Sequence, residues 1–392
     1  MSIAPAQIEE PQKAHRVQRL EHLGWVRGGR VPCLDGIRAI SILLVIMEHS
    51  RETIRPVALK SLLWLFGGHF GVTCFFVISG FLISLLLFRE FERGQTISLG
   101  GFYARRALRL FPACIAYLLF ILVLTHVMAR PISWVYWRAA LTYTICYVAK
   151  LKSFWYLGHT WSLAVEEHFY IFWPILIFFL RPKRAIIAAG IYVALTPAIR
   201  FLVWRQHQEW LDIDYVSITQ MGSIATGCIL GFVVFNYDQW LMRILNGRRA
   251  VVLTALSLLA LVGSAIMNHM SGKYYLFLGD PAASILVAAS MLGIWFTPGG
   301  YLHRWLNTPA LVGVGILSYS VYLWQQPFTG PDAATWMDRW PQNVLLIFVA
   351  AAGSYFIVER PFLKLKARFS GSRNRFAKTT HEHVGELQRR AA

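Results

Sequence analysis

Ten apolar blocks recur along the chain, each close to the roughly 20 residues that a helix needs to cross a bilayer. They lie at 34–50, 68–88, 107–129, 163–180, 185–204, 218–235, 250–270, 280–298, 309–328 and 341–359. In hydrocarbon every backbone N–H and C=O must be satisfied within the protein, so blocks of this length predict spanning helices. Composition agrees: 56% of the 392 residues are hydrophobic and 15% charged, against about 45–50% apolar and about 25% charged in soluble domains. An ordinary soluble enzyme, a disordered chain and a disulfide mini-protein are excluded. The prediction is an all-α, polytopic membrane protein with about ten transmembrane helices. It has three parts: a basic arm at 1–33, a membrane domain at 34–361 and a basic tail at 362–392.

Charge sets the expected orientation. The formal net charge of +18 would suggest nucleic acid in a soluble protein, but here Lys and Arg gather between apolar blocks and at the ends. That pattern is positive-inside anchoring, and no nucleic-acid partner is expected. An eleventh stretch, 134–149, is short and carries Arg138. If it does not span, the segments on one side hold 26 of the 38 basic residues and those on the other hold 10. This places 134–149 as an interfacial or re-entrant helix on the outer side and both termini in the cytoplasm, in an inner (plasma) membrane protein. The five cysteines form no CxxC pair, so neither metal nor disulfide chemistry is expected.

Ionisable residues inside spans are costly and mark function. The first block carries Arg38 and His49. Eleven residues at about 100° each return to within about 20° of one face, with about 16 Å between them along the axis. A snorkelling arginine or an interfacial histidine would account for either alone; the pair on one face predicts a polar lining. A second cluster, Glu166, Glu167 and His168, opens the fourth block beside Trp161, with Tyr170 on the Glu166 face. At the expected depth of His49, Glu166 would orient the imidazole of a general base. The third cluster, Arg105, Arg106 and Arg109, lies at the inner entry to the third block. With Arg38 it would form a phosphate site, since arginine clamps phosphate oxygens bidentately.

Six stretches in order then resemble the acyltransferase family 3 of integral membrane proteins, the O-acyltransferases of bacterial polysaccharides and related acceptors. They are the Arg38-x10-His49 pair, Phe75 to Phe81, Arg105 to Pro112, Trp161 to Tyr170, Ser318 to Pro327 and Ser354 to Pro361. The resemblance implies transfer of an acyl group, expected to be acetyl, from cytoplasmic acyl-CoA to a hydroxyl met from the outer side. It implies essential roles for His49, Arg38 and Glu166. The same stretches supply pocket-lining candidates: Ser79, Trp161, Glu167, Tyr170, Tyr319, Tyr322, Gln325 and Glu359. Acyl-CoA enters as co-substrate, with no permanently bound cofactor. The expected partners are the lipid bilayer and a carbohydrate or other hydroxylated acceptor. Two positions depart from the family pattern: Thr73 stands where many members carry an acid, and His168 where glutamine is common. A transporter or polysaccharide-export partner is the rival reading, and it would centre its charges at mid-membrane on broken helices.

Overall fold

The computed structural model describes residues 31–148, 155–207, 213–330 and 335–365. The expected arms at 1–33 and 362–392 lie almost wholly outside the described residues. Every regular element among the described residues is helical. In chain order the main helices are α1 (Leu34–His49), α2 (Val57–Gly94), α3 (Leu99–Val127), α4 (Trp134–Leu141), α5 (Trp161–His207), α6 (Ser217–Ile244), α7 (Arg248–Met270), α8 (Asp280–Trp295), α9 (Pro309–Trp324) and α10 (Gln342–Ser354).

Among the described residues, seven helical stretches are long and apolar enough to cross a membrane: α2, α3, Trp155–Gln206, α6, α7, Gly272–Trp295 and Gln342–Leu365. Helices α1 and α9 have 16 residues each, or about 24 Å of axis. Helix α4 has eight residues, about 12 Å, far short of a hydrocarbon core of about 30 Å. Among the described residues of the stretch 134–148, no helix is long enough to span. The bundle carries apolar side chains on its outside, including Leu119, Val123, Phe172, Phe179, Ile187 and Leu259, as a lipid-facing surface requires.

Helix α5 is broken at Arg181, whose φ of 61° and ψ of 161° are non-helical. The residue before a proline is biased away from the helical region, and Pro182 follows. As one straight helix, Trp161 and Arg200 would lie about 58 Å apart. Instead Trp161 stacks on His69, His69 bonds Asp280, and Asp280 bonds Arg200. The two halves of α5 must therefore fold back on each other at Arg181, within the turn expected at 181–184.

Helices α2 and α6 form the centre, each with 72% of its apolar window buried. They approach through glycines: a Cβ on Gly80 would overlap the Ile224 carbonyl, and one on Gly227 the Val77 carbonyl. Small residues let membrane helices pack at backbone distance. Helix α2 also bends at Gly67, whose φ of 51° lies in the left-handed region that glycine enters without steric cost. The bend rests against the Glu48 side chain at the end of α1.

Candidate active site

Three of the expected stretches meet in one ionic cluster. Arg106 of α3 donates from Nε to Glu167 Oε1 at 2.9 Å and pairs with Glu166 Oε2 at 3.5 Å. Its guanidinium lies over the Tyr170 ring, 3.3 Å from the centroid. Ser79 of α2 donates to Glu166 Oε1 at 2.7 Å. Arg109 stands within electrostatic reach of Arg38, Arg106 and Glu166. It is exposed and makes no hydrogen bond or ion pair among the described residues. Arg38 contacts Asp35 at 3.5 Å. Glu359, bonded by Ser320 Oγ, also lies within reach of Arg109.

This placement departs from the sequence expectation in two ways. Glu166 is held by Ser79 and Arg106, so the expected pairing with His49 is absent. Arg105 leaves the other arginines to pair with Glu90 at 3.1 Å. Both follow from helix register. Helix α3 starts at Leu99 rather than at 107, which puts Arg106 about 10 Å into the helix. Glu166 lies about 7 Å into α5 from Trp161. The two helices run antiparallel, and the groups meet inside the bundle.

His49 ends α1, and its Nδ1 lies 2.8 Å from the Val45 carbonyl oxygen. A carbonyl only accepts, so Nδ1 carries the proton, and in the neutral ring Nε2 bears the lone pair. The backbone thus sets the tautomer that a general base needs. The ring meets Trp155 edge-on at 5.6 Å between centroids.

Around His49 lies a group of buried polar residues that periodicity did not reveal. His159 is 3% exposed and lies within electrostatic reach of His49. The Leu323 backbone passes close to its ring, yet neither ring nitrogen meets a hydrogen-bond partner. Gln325 is fully buried, with both amide atoms unpartnered, as is Gln326 Oε1. Trp155 Nε1 donates to the Gln326 carbonyl at 3.0 Å. Tyr322 donates to the His159 carbonyl at 2.7 Å and shares a 2.6 Å bond with Ser162. Tyr319, by contrast, donates to the Leu110 carbonyl at 2.9 Å.

A third polar group joins α2, α5, α6 and α8. Arg200, fully buried, donates to Asp280 at 2.8 Å, Asp214 at 3.1 Å and the Leu276 carbonyl at 2.5 Å. His69 bonds Asp280 at 2.9 Å, Gln220 bonds it at 3.1 Å, and Tyr275 bonds Asp214. The ligand atoms of His69, Asp214 and Asp280 lie within 4.8 Å of one another, a spacing that a cation could bridge. Arg200 already supplies positive charge to both carboxylates. A charge at 200 is visible in the sequence; its partners, spread from 69 to 280, are not. Trp161 is stacked on His69 and packs edge-on against Tyr215, so it floors this group.

The family model described as an acyltransferase domain matches residues 31–359. An O-acetyltransferase OatA of Staphylococcus aureus is 28% identical over 325 residues, covering 76% of this chain and 50% of the relative. A peptidoglycan O-acetyltransferase OatA of Listeria monocytogenes is 26% identical over 367 residues, covering 85% of this chain and 56% of the relative. The chain thus spans about half the length of the curated relatives it matches. No solved structure matches it.

Proposed function

We propose that this chain, which belongs to the acyltransferase family 3, moves an acetyl group from cytoplasmic acetyl-CoA to a hydroxyl of a cell-surface glycan. The observation that carries the reading is the division of α1. Arg38 faces an exposed, unpartnered Arg109 near one end, and His49 presents a lone pair at Nε2 at the other. The separation, about 16 Å of helix, suits a long thin donor with phosphates at one end and a thioester at the other. The name of the Listeria monocytogenes relative makes a peptidoglycan glycan the first acceptor to test.

In this reading His49 Nε2 takes the proton of the acceptor hydroxyl as its oxygen attacks the acyl carbon. The C–S bond breaks and the CoA sulfur leaves with that proton. Arg38 and Arg109 hold donor phosphates. Glu166 and Glu167 act as positioning residues, fixing Arg106 beside Arg109; Ser79 and Tyr170 complete that frame. Val45, rather than Glu166, orients the base. Tyr322 anchors the wall that carries His159, while Tyr319 and Glu359 brace α9 and the end of α10 against α3.

The same reading gives ten crossings in a plasma membrane. They are the seven long stretches, with the second half of α5 counted separately after the break at Arg181, together with α1 and α9. The excess of basic residues on one side of this topology puts both termini in the cytoplasm. The test is transfer of radiolabel from acetyl-CoA to peptidoglycan glycan fragments by the full chain in lipid nanodiscs. Label should move with the parent protein and stay on CoA with His49→Ala. Equal transfer by both would sink the reading.

A further inference from the structure

Buried polar atoms without partners are rare, because leaving one unsatisfied costs about 1–3 kcal/mol. Here several gather beside His49. His159 has two such nitrogens and Gln325 both ends of its amide. Both side chains are almost wholly enclosed. The segment is not loosely held: Tyr322 grips the His159 carbonyl, Trp155 grips the Gln326 carbonyl, and Tyr117 packs edge-on against the His159 ring at 5.4 Å. The backbone is pinned while the side-chain polar atoms remain unpaired, as in a site built for a ligand.

The chemistry of acyl transfer leaves one requirement unmet by His49. As the hydroxyl attacks, negative charge grows on the acyl oxygen, and a preorganised donor must face it. The nearby donors are mostly committed. Trp155 Nε1 is held by Gln326, Tyr322 by His159 and Ser162, and Tyr117 by the Tyr156 carbonyl. His49 Nδ1 is held by Val45. A neutral imidazole always has one N–H to give, and neither nitrogen of His159 reaches hydrogen-bond geometry with any group, the nearby Leu323 backbone included.

We propose that His159 is a second catalytic residue of the transfer, donating a hydrogen bond from a ring N–H to the carbonyl oxygen of the acyl thioester. His159 itself transfers no proton. His49 takes the hydroxyl proton, the oxygen–carbon bond forms, the carbon–sulfur bond breaks, and the thiol leaves with the proton from His49. The hydrogen bond from His159 is strongest while the oxygen carries charge. Gln325, with a free donor and a free acceptor, suits the amide of the CoA arm two methylene groups from the sulfur. The proposal rests on the acyl-CoA reading above.

Two non-reactive probes separate the possibilities: S-ethyl-CoA, which lacks the carbonyl, and the ketone analogue of acetyl-CoA in which CH2 replaces sulfur. Both are titrated against the full chain in nanodiscs. With His159→Leu, affinity for the ketone should fall about tenfold while S-ethyl-CoA binds as to the parent, which also reports an intact fold. Turnover on peptidoglycan fragments should fall about 10²–10³-fold in kcat. His159→Gln, which restores an N–H, should recover part of both losses. His49→Ala should bind both probes as the parent does. If His159→Leu loses both probes equally, or neither, the assignment of His159 is wrong and the acyl-CoA reading survives. If the parent binds neither probe, both fail together.

Discussion

Two buried polar groups sit on either side of the Trp161 region, and they are built on opposite plans. In the Arg200 group every carboxylate oxygen has a donor: Asp214 and Asp280 are held by Arg200, His69, Gln220 and Tyr275. Around His49 the reverse holds, with His159 and Gln325 buried and unpaired. The carboxylates of this ionic group are thus saturated, with Gln220 Oε1 left unpartnered beside them, and the group joins four helices that would otherwise slide on apolar faces. An unsaturated one is destabilising by itself and is kept where a ligand completes it. Charge and burial alone do not separate these two groups; the hydrogen-bond satisfaction of the carboxylates in one and of His159 in the other does.

The comparison can be broken by substitution, starting at the unsaturated side. His49→Ala should lower kcat about 10²–10⁴-fold, the usual contribution of a placed general base, with the melting temperature in detergent nearly unchanged. Loss of activity that merely tracked loss of folded protein would place His49 with the scaffold instead.

Arg200→Met should do the opposite. Removing the cation that both carboxylates share leaves Asp214 with only the Tyr275 hydroxyl and Asp280 with only His69 and Gln220, and breaking a buried ionic group in this way costs about 3–5 kcal/mol. The variant should show a lowered melting temperature and poor recovery as a monodisperse peak. A stable Arg200→Met protein with impaired transfer would make this group part of the site.

Between these lies the backbone contact of α2 and α6. Gly227→Val drives a side chain into the Val77 carbonyl, and overpacking of this kind costs about 1–3 kcal/mol. Thermal unfolding should report it, with kcat per folded molecule changed much less than in His49→Ala.

The smallest effect is expected at Arg109, which is exposed and unpaired. Arg109→Ala should raise KM for acetyl-CoA about tenfold, in line with loss of one charge-assisted contact, with kcat close to the parent. Arg109→Lys should recover only part, because an ammonium cannot bind phosphate bidentately. An unchanged KM would assign the donor phosphates to other residues.

Much of this is legible in the sequence. Apolar blocks near 20 residues dictate membrane helices, since no other open structure satisfies the backbone in lipid. Pro182 amid basic residues marks a turn, and the chain breaks at Arg181. The period of an α-helix places Arg38 and His49 on one face of α1, because that relation is internal to one rigid element. Relations between elements are a different matter. Spacing along α5 says that Glu166 and Tyr170 share a face, but not that the face meets Arg106; only the start of α3 at Leu99 decides that depth. Arg105 and Arg109 share a face by period, yet Glu90 at the end of α2 draws Arg105 away. His159 carries no periodic signal, and its significance lies in what fails to surround it. One-dimensional pattern governs which residues lie in the membrane and which lie side by side on a helix. Lateral packing decides which buried charges find partners, and therefore which polar groups hold the bundle together and which are left for a substrate.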